Sequence, residues 1–367
     1  MNPDHLNWLK SLNKDIPIFL DKLKVPGQPG RFLPCLNGLT EPGRKVALGF
    51  SCFVLKTYYT LGLWGKLSKT QQKEWIGYIG SFQKDLEPRI NKGIRNAFVD
   101  PVLVDYFDLH LSLHRRLVDI FFPQKKSVVQ QVVIAETKQA IATLAQVGEK
   151  PKKECQGFPT LPIEVENYLN SMDWAKPWSA GGQAAALVVF LKTQGQKTQE
   201  SLKVCEYFFQ NLADAKTGAY FKGKEPVHSE LINGAMKILS ALDWFDIPIH
   251  YPNQLIDSVL ASKPAPEGCH LVDAVYVLYR CAKQSKYKQR EIKNYLTKVI
   301  DMIRAHQNSE GGFSYYIKQS QTNYYGVPIS QGLNESDIHG TCLLTWALAM
   351  ILDILGNEDL NWKLIKP

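Results

Sequence analysis

The sequence predicts an all-α protein in which six buried helices form an inner ring wrapped by an outer one. Three observations carry that prediction. Strand signals are nearly absent, while apolar residues spaced i, i+3, i+4 run through the chain. A helix signature recurs six times, each copy passing from a polar opening through small residues into a wide apolar stretch. More amphipathic segments alternate with the copies. A helix apolar nearly all round must be buried on every side, so the six copies belong inside.

The inner copies lie at residues 44–62 (RKVALGFSCFVLKTYYTLG), 135–148 (AETKQAIATLAQVG), 179–192 (SAGGQAAALVVFLK), 228–242 (HSELINGAMKILSAL), 271–282 (LVDAVYVLYRCA) and 337–355 (DIHGTCLLTWALAMILDIL). Outer helices are expected at residues 70–85, 162–171, 199–212, 252–261 and 290–306. The third of these carries a clean stripe of Leu202, Cys205, Phe208, Phe209 and Leu212. Residues 102–122 supply a further outer helix with an inserted turn. Residues 138–145 and 233–240 read as diverged copies of one unit, Ala140 matching Ala235 and Leu144 matching Leu239. Glycine-aromatic loops at 29–32 (PGRF), 217–221 (TGAYF) and 310–316 (EGGFSYY) punctuate the helix pairs. Glycine permits the tight turn and the aromatic packs back across the gap.

No Ser/Gly/Pro-rich linker divides the chain, so residues 1–367 are expected to form one domain. No apolar run reaches the roughly 18–20 residues of a membrane span. The longest, 342–355, is interrupted by Asp353. The first twenty residues hold acids and no long apolar core, unlike a signal peptide. Seven cysteines without a CxxC spacing argue for a reducing, cytoplasmic setting and against a disulfide framework. The net charge of +8 is spread along the chain, with clusters at 150–153 and 283–293. These read as solvated helix faces, with an anionic ligand or peripheral contact with an acidic membrane as the alternatives. Nucleic acid is excluded as a partner by the lack of any motif or aromatic-interleaved basic stripe.

At residues 307–314 (QNSEGGFS) the chain resembles the glutamine-glycine-aromatic loops of squalene and oxidosqualene cyclases and of protein prenyltransferase β subunits. Residues 336–348 (SDIHGTCLLTWAL) resemble the stretch of the prenyltransferase β subunit that carries its zinc histidine. Residues 270–276 (HLVDAVY) resemble the stretch that carries its zinc aspartate and cysteine. The resemblance covers about the last 100 residues and implies an (α/α)6 toroid. The chain departs from the family's zinc set, since Asp273 has a counterpart but Val275 stands where the cysteine would be. Gly340 aligns with the histidine, leaving His339 one position away. One residue on a helix turns a side chain by about 100°, so neither metal nor organic cofactor is expected. The Asp-x-Asp-Asp acid of the cyclases is absent.

If the inner helices start at a common end, that end gathers Lys45, Glu136, Gln183, His228, Glu230, Asn233, His270, Asp273, Asp337 and His339. Burial raises a carboxyl pKa, which makes Asp337, Asp273 and Glu230 candidate general acids. Asp337 also reads as a helix N-cap, and His339 stands roughly 200° around the helix from it. Either Asp337 caps and His339 lines the cavity, or only one of them is functional. Candidate substrate-binding residues are His228, Asn233, Glu136, Gln183, Trp178, Tyr315 and Tyr325. The tyrosine loop at 315–325 is placed to lie over the mouth. His110 and His114 have a spacing that could share a metal, but the sequence near them offers no third ligand, and a helix face is the simpler reading.

The leading expectation is a cyclase or isomerase of isoprenoid type acting on an apolar small molecule. Asp337 would protonate an alkene in an aromatic-lined cavity, with His339 orienting the acid or acting as a later base. A carbohydrate-active toroid, lyase or glycosidase, built on His228, Glu230 and the tyrosine loop is the first alternative. A non-catalytic ligand-binding or assembly protein is the second.

Overall fold

A computed structural model describes residues 3–85, 94–110, 128–194, 198–266, 268–356 and 360–367. Among them run α1 (Pro3–Lys22), α2 (Glu41–Lys45), α3 (Leu48–Thr60), α4 (Lys69–Gly80), α5 (Pro101–His110), α6 (Val128–Gln146) and α7 (Pro162–Asn170). Then follow α8 (Pro177–Gln194), α9 (Gln199–Leu212), α10 (His228–Phe245), α11 (Pro252–Leu260), α12 (Gly268–Gln284), α13 (Gln289–Arg304) and α14 (Ile338–Leu355). Two short antiparallel pairs complete the described residues: β1 (Gln83–Lys84) with β2 (Ala97–Phe98), and β3 (Asn323–Tyr324) with β4 (Val327–Pro328).

The ring closes. Helix α3 packs on α6, α6 on α8, α8 on α10, α10 on α12, α12 on α14, and α14 returns to α3. These are the six apolar copies, and the reason is their composition. From Leu48 to Tyr58 in α3, and from Ala184 to Leu191 in α8, every residue is buried. Such helices have no wet face to offer, so each needs neighbours all round. The outer helices show a stripe instead. In α13 the buried residues are Ile292, Tyr295, Leu296, Val299, Ile300 and Ile303.

Helix α1 packs on the outside of the ring, a place the sequence pattern assigns to residues 102–122 and not to α1. Its stripe of Trp8, Leu9, Leu12, Ile16, Phe19 and Leu20 is buried despite Pro17. Trp8 donates to Gln307 Oε1 at 2.6 Å and meets the Phe313 ring edge-on at 6.3 Å. The 307–313 loop is thus clamped between α1 and α14. A Cβ on Gly312 would stand 2.4 Å from the Phe19 ring and 2.8 Å from Thr341 Oγ1, which is why glycine occupies that position.

The first inner copy begins later than its pattern suggests. Residues 41–45 form the separate α2, and α3 starts after a break at Val46–Ala47. Asp100 caps α3 from outside, its Oδ2 accepting from Ala47 N at 2.7 Å and Leu48 N at 3.0 Å. The segment expected at 102–122 is described only as far as α5; the His110 side chain and His114 lie outside the described residues. Helix α14 meets the length and apolarity of a membrane span, contrary to the reading from Asp353, yet 72 % of it is buried inside the protein.

Residues 360–367 cross the C-terminal end of the ring. Lys363 N donates to Thr60 O at 2.7 Å, Lys366 N to Gln146 Oε1 at 3.0 Å, and Trp244 Nε1 to Pro367 O at 3.0 Å. The partners sit at the ends of α3, α6 and α10. Leu360 and Ile365 are buried there. Deleting residues 360–367 is expected to cost on the order of 3 kcal/mol, mainly from two apolar side chains, read as a lower midpoint in urea.

Candidate functional site

The opposite end is covered by the β3–β4 hairpin. Its turn is Tyr325–Gly326, at φ 49° and 86°, the left-handed pair of a type I′ turn. An aromatic residue at positive φ is uncommon and strained. The hairpin holds it there and drives Tyr324 into the ring. Tyr324 packs against Phe50 and Phe53 at 5.1 and 6.0 Å, and its phenol donates to Glu136 Oε1. Gly49 makes the room, since a Cβ there would stand 2.0 Å from the Tyr324 oxygen.

Glu136 on α6 is 1 % exposed, and its Oε2 has no protein partner. Burial pushes its carboxyl up to about 8, against the Tyr324 hydrogen bond that favours the charged form. At neutral pH it is therefore a protonated acid. Tyr325 keeps 39 % of its surface, yet desolvation raises its phenol and the groups acting on it include Glu136 of α6, Cys52 of α3 and Cys269 of α12. Helix α12 is not a neighbour of α3 in the ring. A side chain within electrostatic reach of all three helices stands over the lumen.

His339 lines that lumen from α14. Its imidazole stacks on Phe53 at 4.4 Å and 13°, with Tyr315 at 5.2 Å. Its Nδ1 is buried without a partner. Burial, then Lys237 and Lys56, lower its pKa to about 3, so it is neutral. Asp273 of α12 is 5 % exposed; burial raises it to about 6 while Lys237 and His270 hold it down. Asn233 joins it to His270. With its oxygen turned to His270 Nδ1 at 2.8 Å, the Asn233 amide donates to Asp273 Oδ2 at 3.3 Å.

Of the two readings the sequence leaves open for Asp337, helix cap or cavity acid, the geometry shows the cap. Its Oδ1 accepts from Gly340 N at 2.7 Å, and its Oδ2 accepts from Tyr315 N at 2.7 Å and Gln321 N at 3.0 Å. It caps α14 and ties two loop strands to it. Burial raises its pKa to about 6 while the backbone N–H groups oppose that rise, so it holds a proton less tightly than Glu136 does. Glu230 is likewise spent on structure, accepting Trp178 N at 2.9 Å near the start of α8. His228 is exposed and bonds Ser258 O at 2.8 Å, tying α10 to the segment of α11. Trp178 is 42 % exposed at the rim, its ring 6.4 Å from His270. Gln183 is half-buried on α8. Tyr315 donates to Cys269 Sγ at 2.7 Å and walls the lumen beside His339.

Sequence reasoning passed over three lysines. Lys56 on α3 is 5 % exposed and donates to Gln139 Oε1 at 3.2 Å. Lys138 lies on α6 and Lys237 on α10. Burial, then the charges of Lys56 and Lys237, lower the Lys138 ammonium well below the usual lysine range. Their signal is present in the sequence: each stands mid-way along a helix that has no wet face. Among the described residues no three His, Cys, Asp or Glu side chains converge as metal ligands. An open cleft of about 350 Å³ between residues 24–32 and α4, walled by Phe32, Tyr58 and Trp75, stands apart from the lumen and brings no buried acid.

No protein-family model and no curated protein matches the chain. Among solved structures it is similar to a type II terpene cyclase from Scytonema in complex with geranylgeranyl dihydroxybenzoate. That match has 10 % identity and a TM-score of 0.44, covering 97 % of this chain and 100 % of that one. A protein from Actinoplanes gives 9 % identity and a TM-score of 0.41, covering 94 % and 99 %. A polysaccharide lyase gives 12 % identity and a TM-score of 0.40, covering 95 % and 99 %. Scores this low support no conclusion about activity.

Proposed function

We propose that the chain is a lumen enzyme that moves protons on an enclosed small molecule, of cyclase or isomerase type, with Glu136 in place of Asp337 as the proton donor. The observation that carries this reading is the Glu136 carboxyl. It is buried, protonated at neutral pH, held by one phenol, and left with a free oxygen among aromatic side chains. Of the three buried acids near the lumen, Glu136 is raised furthest, to about 8 against about 6 for Asp273 and Asp337. A neutral acid in an apolar setting is what protonation of an alkene or enol needs. His339, neutral and on the other flank of α3 from Glu136, is the candidate base that takes a proton back. The nearby lysines would repel a long-lived carbocation, so the reading favours a short proton relay over an extended cation cascade.

The same lysines, with Tyr324 and Tyr325, favour a lyase as the second reading. Ammonium groups neutralise a carboxylate, and a phenol or imidazole can then take the adjacent proton. Native mass spectrometry of the protein from its own host, with extraction of the bound molecule, separates the two. An apolar or amphipathic alkene or carbonyl compound supports the proton relay. A uronate or other sugar acid supports the lyase and displaces Glu136 from the central role.

A further inference from the structure

The lumen is rich in hydrogen-bond donors and poor in acceptors. Lys56, Lys138 and Lys237 converge on it from α3, its neighbour α6, and α10 on the far side of the ring. The groups acting on Lys138 are Lys56 and Lys237, and both repel it. The thiols nearest Lys56, Cys52 and Cys342, are pushed up by burial to about 12 and about 11, so they bring no negative charge. Lys56 is bonded to the neutral Gln139, whose own Nε2 is buried without a partner. The acceptors in reach are Asp273, already shared by Lys237, His270 and Asn233, the free oxygen of Glu136 and the neutral His339 imidazole. Lys56 is buried and Lys138 and Lys237 are half-buried; like charges gathered with little to balance them are costly, and an oxyanion answers several donors at once.

We infer that the three lysines, with the Gln139 amide, form a binding site for the oxyanion head of the substrate, a phosphoryl or carboxylate group, inside the lumen. The inference rests on the reading of the lumen as the substrate chamber and adds the chemical class of what enters it. The anion would sit below the His339–Phe53 stack, at the level where Lys56 meets Gln139. The remainder of the molecule would reach up toward Glu136 and Tyr325.

The test is titration calorimetry of the full chain with inorganic pyrophosphate and, separately, with succinate. Wild type is compared with Lys56→Met, Lys138→Met and Lys237→Met, and with the exposed control Lys216→Ala. Removing one charge-assisted contact is expected to weaken binding about tenfold or more, while the control is unchanged. Binding of pyrophosphate marks a phosphoryl head, binding of succinate a carboxylate. Replacing Lys56 or Lys138, which like charge repels, also raises the unfolding midpoint without any anion, and a midpoint near wild type shows that Lys237→Met folds. Anion binding is read without turnover, so loss of the proton-donor reading leaves this site standing. No binding of either probe to wild type, or binding by all three lysine variants as tight as wild type, overturns the inference.

Discussion

Glu136→Gln is expected to leave the ring folded and to reduce turnover by about 10²–10⁴-fold, the usual contribution of a positioned general acid. Glutamine keeps an oxygen for the Tyr324 phenol, so the hairpin stays seated on Gly49. It keeps the volume of the side chain and removes the one titrating proton. The loss should fall on the chemical step with substrate binding little changed, because the anion site lies on other residues. Tyr324→Phe separates the phenol from the acid. Without its hydrogen bond the carboxyl rises further, so activity extends to higher pH while falling modestly in size. If Glu136→Gln turns over substrate as wild type does, the proton comes from elsewhere.

Asp337→Ala is expected to destabilise the protein by roughly 3–5 kcal/mol, read by urea unfolding. The figure combines a lost N-cap with two further backbone N–H groups left without an acceptor in the interior. Gly340, Tyr315 and Gln321 all lose their partner at once. A Cβ on Gly340 would stand 2.5 Å from Tyr315 N, so the two segments are already in contact and cannot separate without exposing the start of α14. Asp337→Asn retains one acceptor oxygen and should fall between the two. Any activity still present in folded Asp337→Asn marks the residue as a cap. Complete loss in a variant of wild-type stability would return it to the chemistry.

The inner ring was legible because a helix apolar on all sides has only one kind of place to go. The outer helices were legible from their stripes. Helix α1 was not, because Pro17 and the polar residues around it mask a stripe that shows only once Trp8, Leu12 and Phe19 are seen to pack together. The hairpin was not, because Tyr-Gly is a weak turn signal beside Asn-Gly. The site was legible in its members and less so in their roles. His339, Asp273, Asn233, Tyr315 and Tyr325 stand at or near the lumen, and Glu136 was named as a binding residue. Its carboxyl is positioned by Tyr324, 188 residues away, and no local pattern records such a pair. Asp337 shows the reverse: an acid at an inner-helix start has the same signature whether it faces a cavity or caps the helix. Lys56, Lys138 and Lys237 could have been found by asking why a helix with no wet face carries a charge.

The proton on Glu136 is the centre of this account, and its linkage to folding tests it without any substrate. The carboxyl is raised from 4.5 in the unfolded chain to about 8 in the fold. Between those values the unfolded state gives up its proton while the folded state keeps it, so wild type loses stability as pH rises. A glutamine at this position does not titrate. The stability of Glu136→Gln relative to wild type should therefore climb by about 1.4 kcal/mol per pH unit from pH 5 to 8 and level off above. Urea unfolding of both proteins across pH 5–9 measures it. A difference that rises across that window is the expected result; one that stays flat would mean Glu136 is ionised in the folded protein, and the acid in the lumen would be lost.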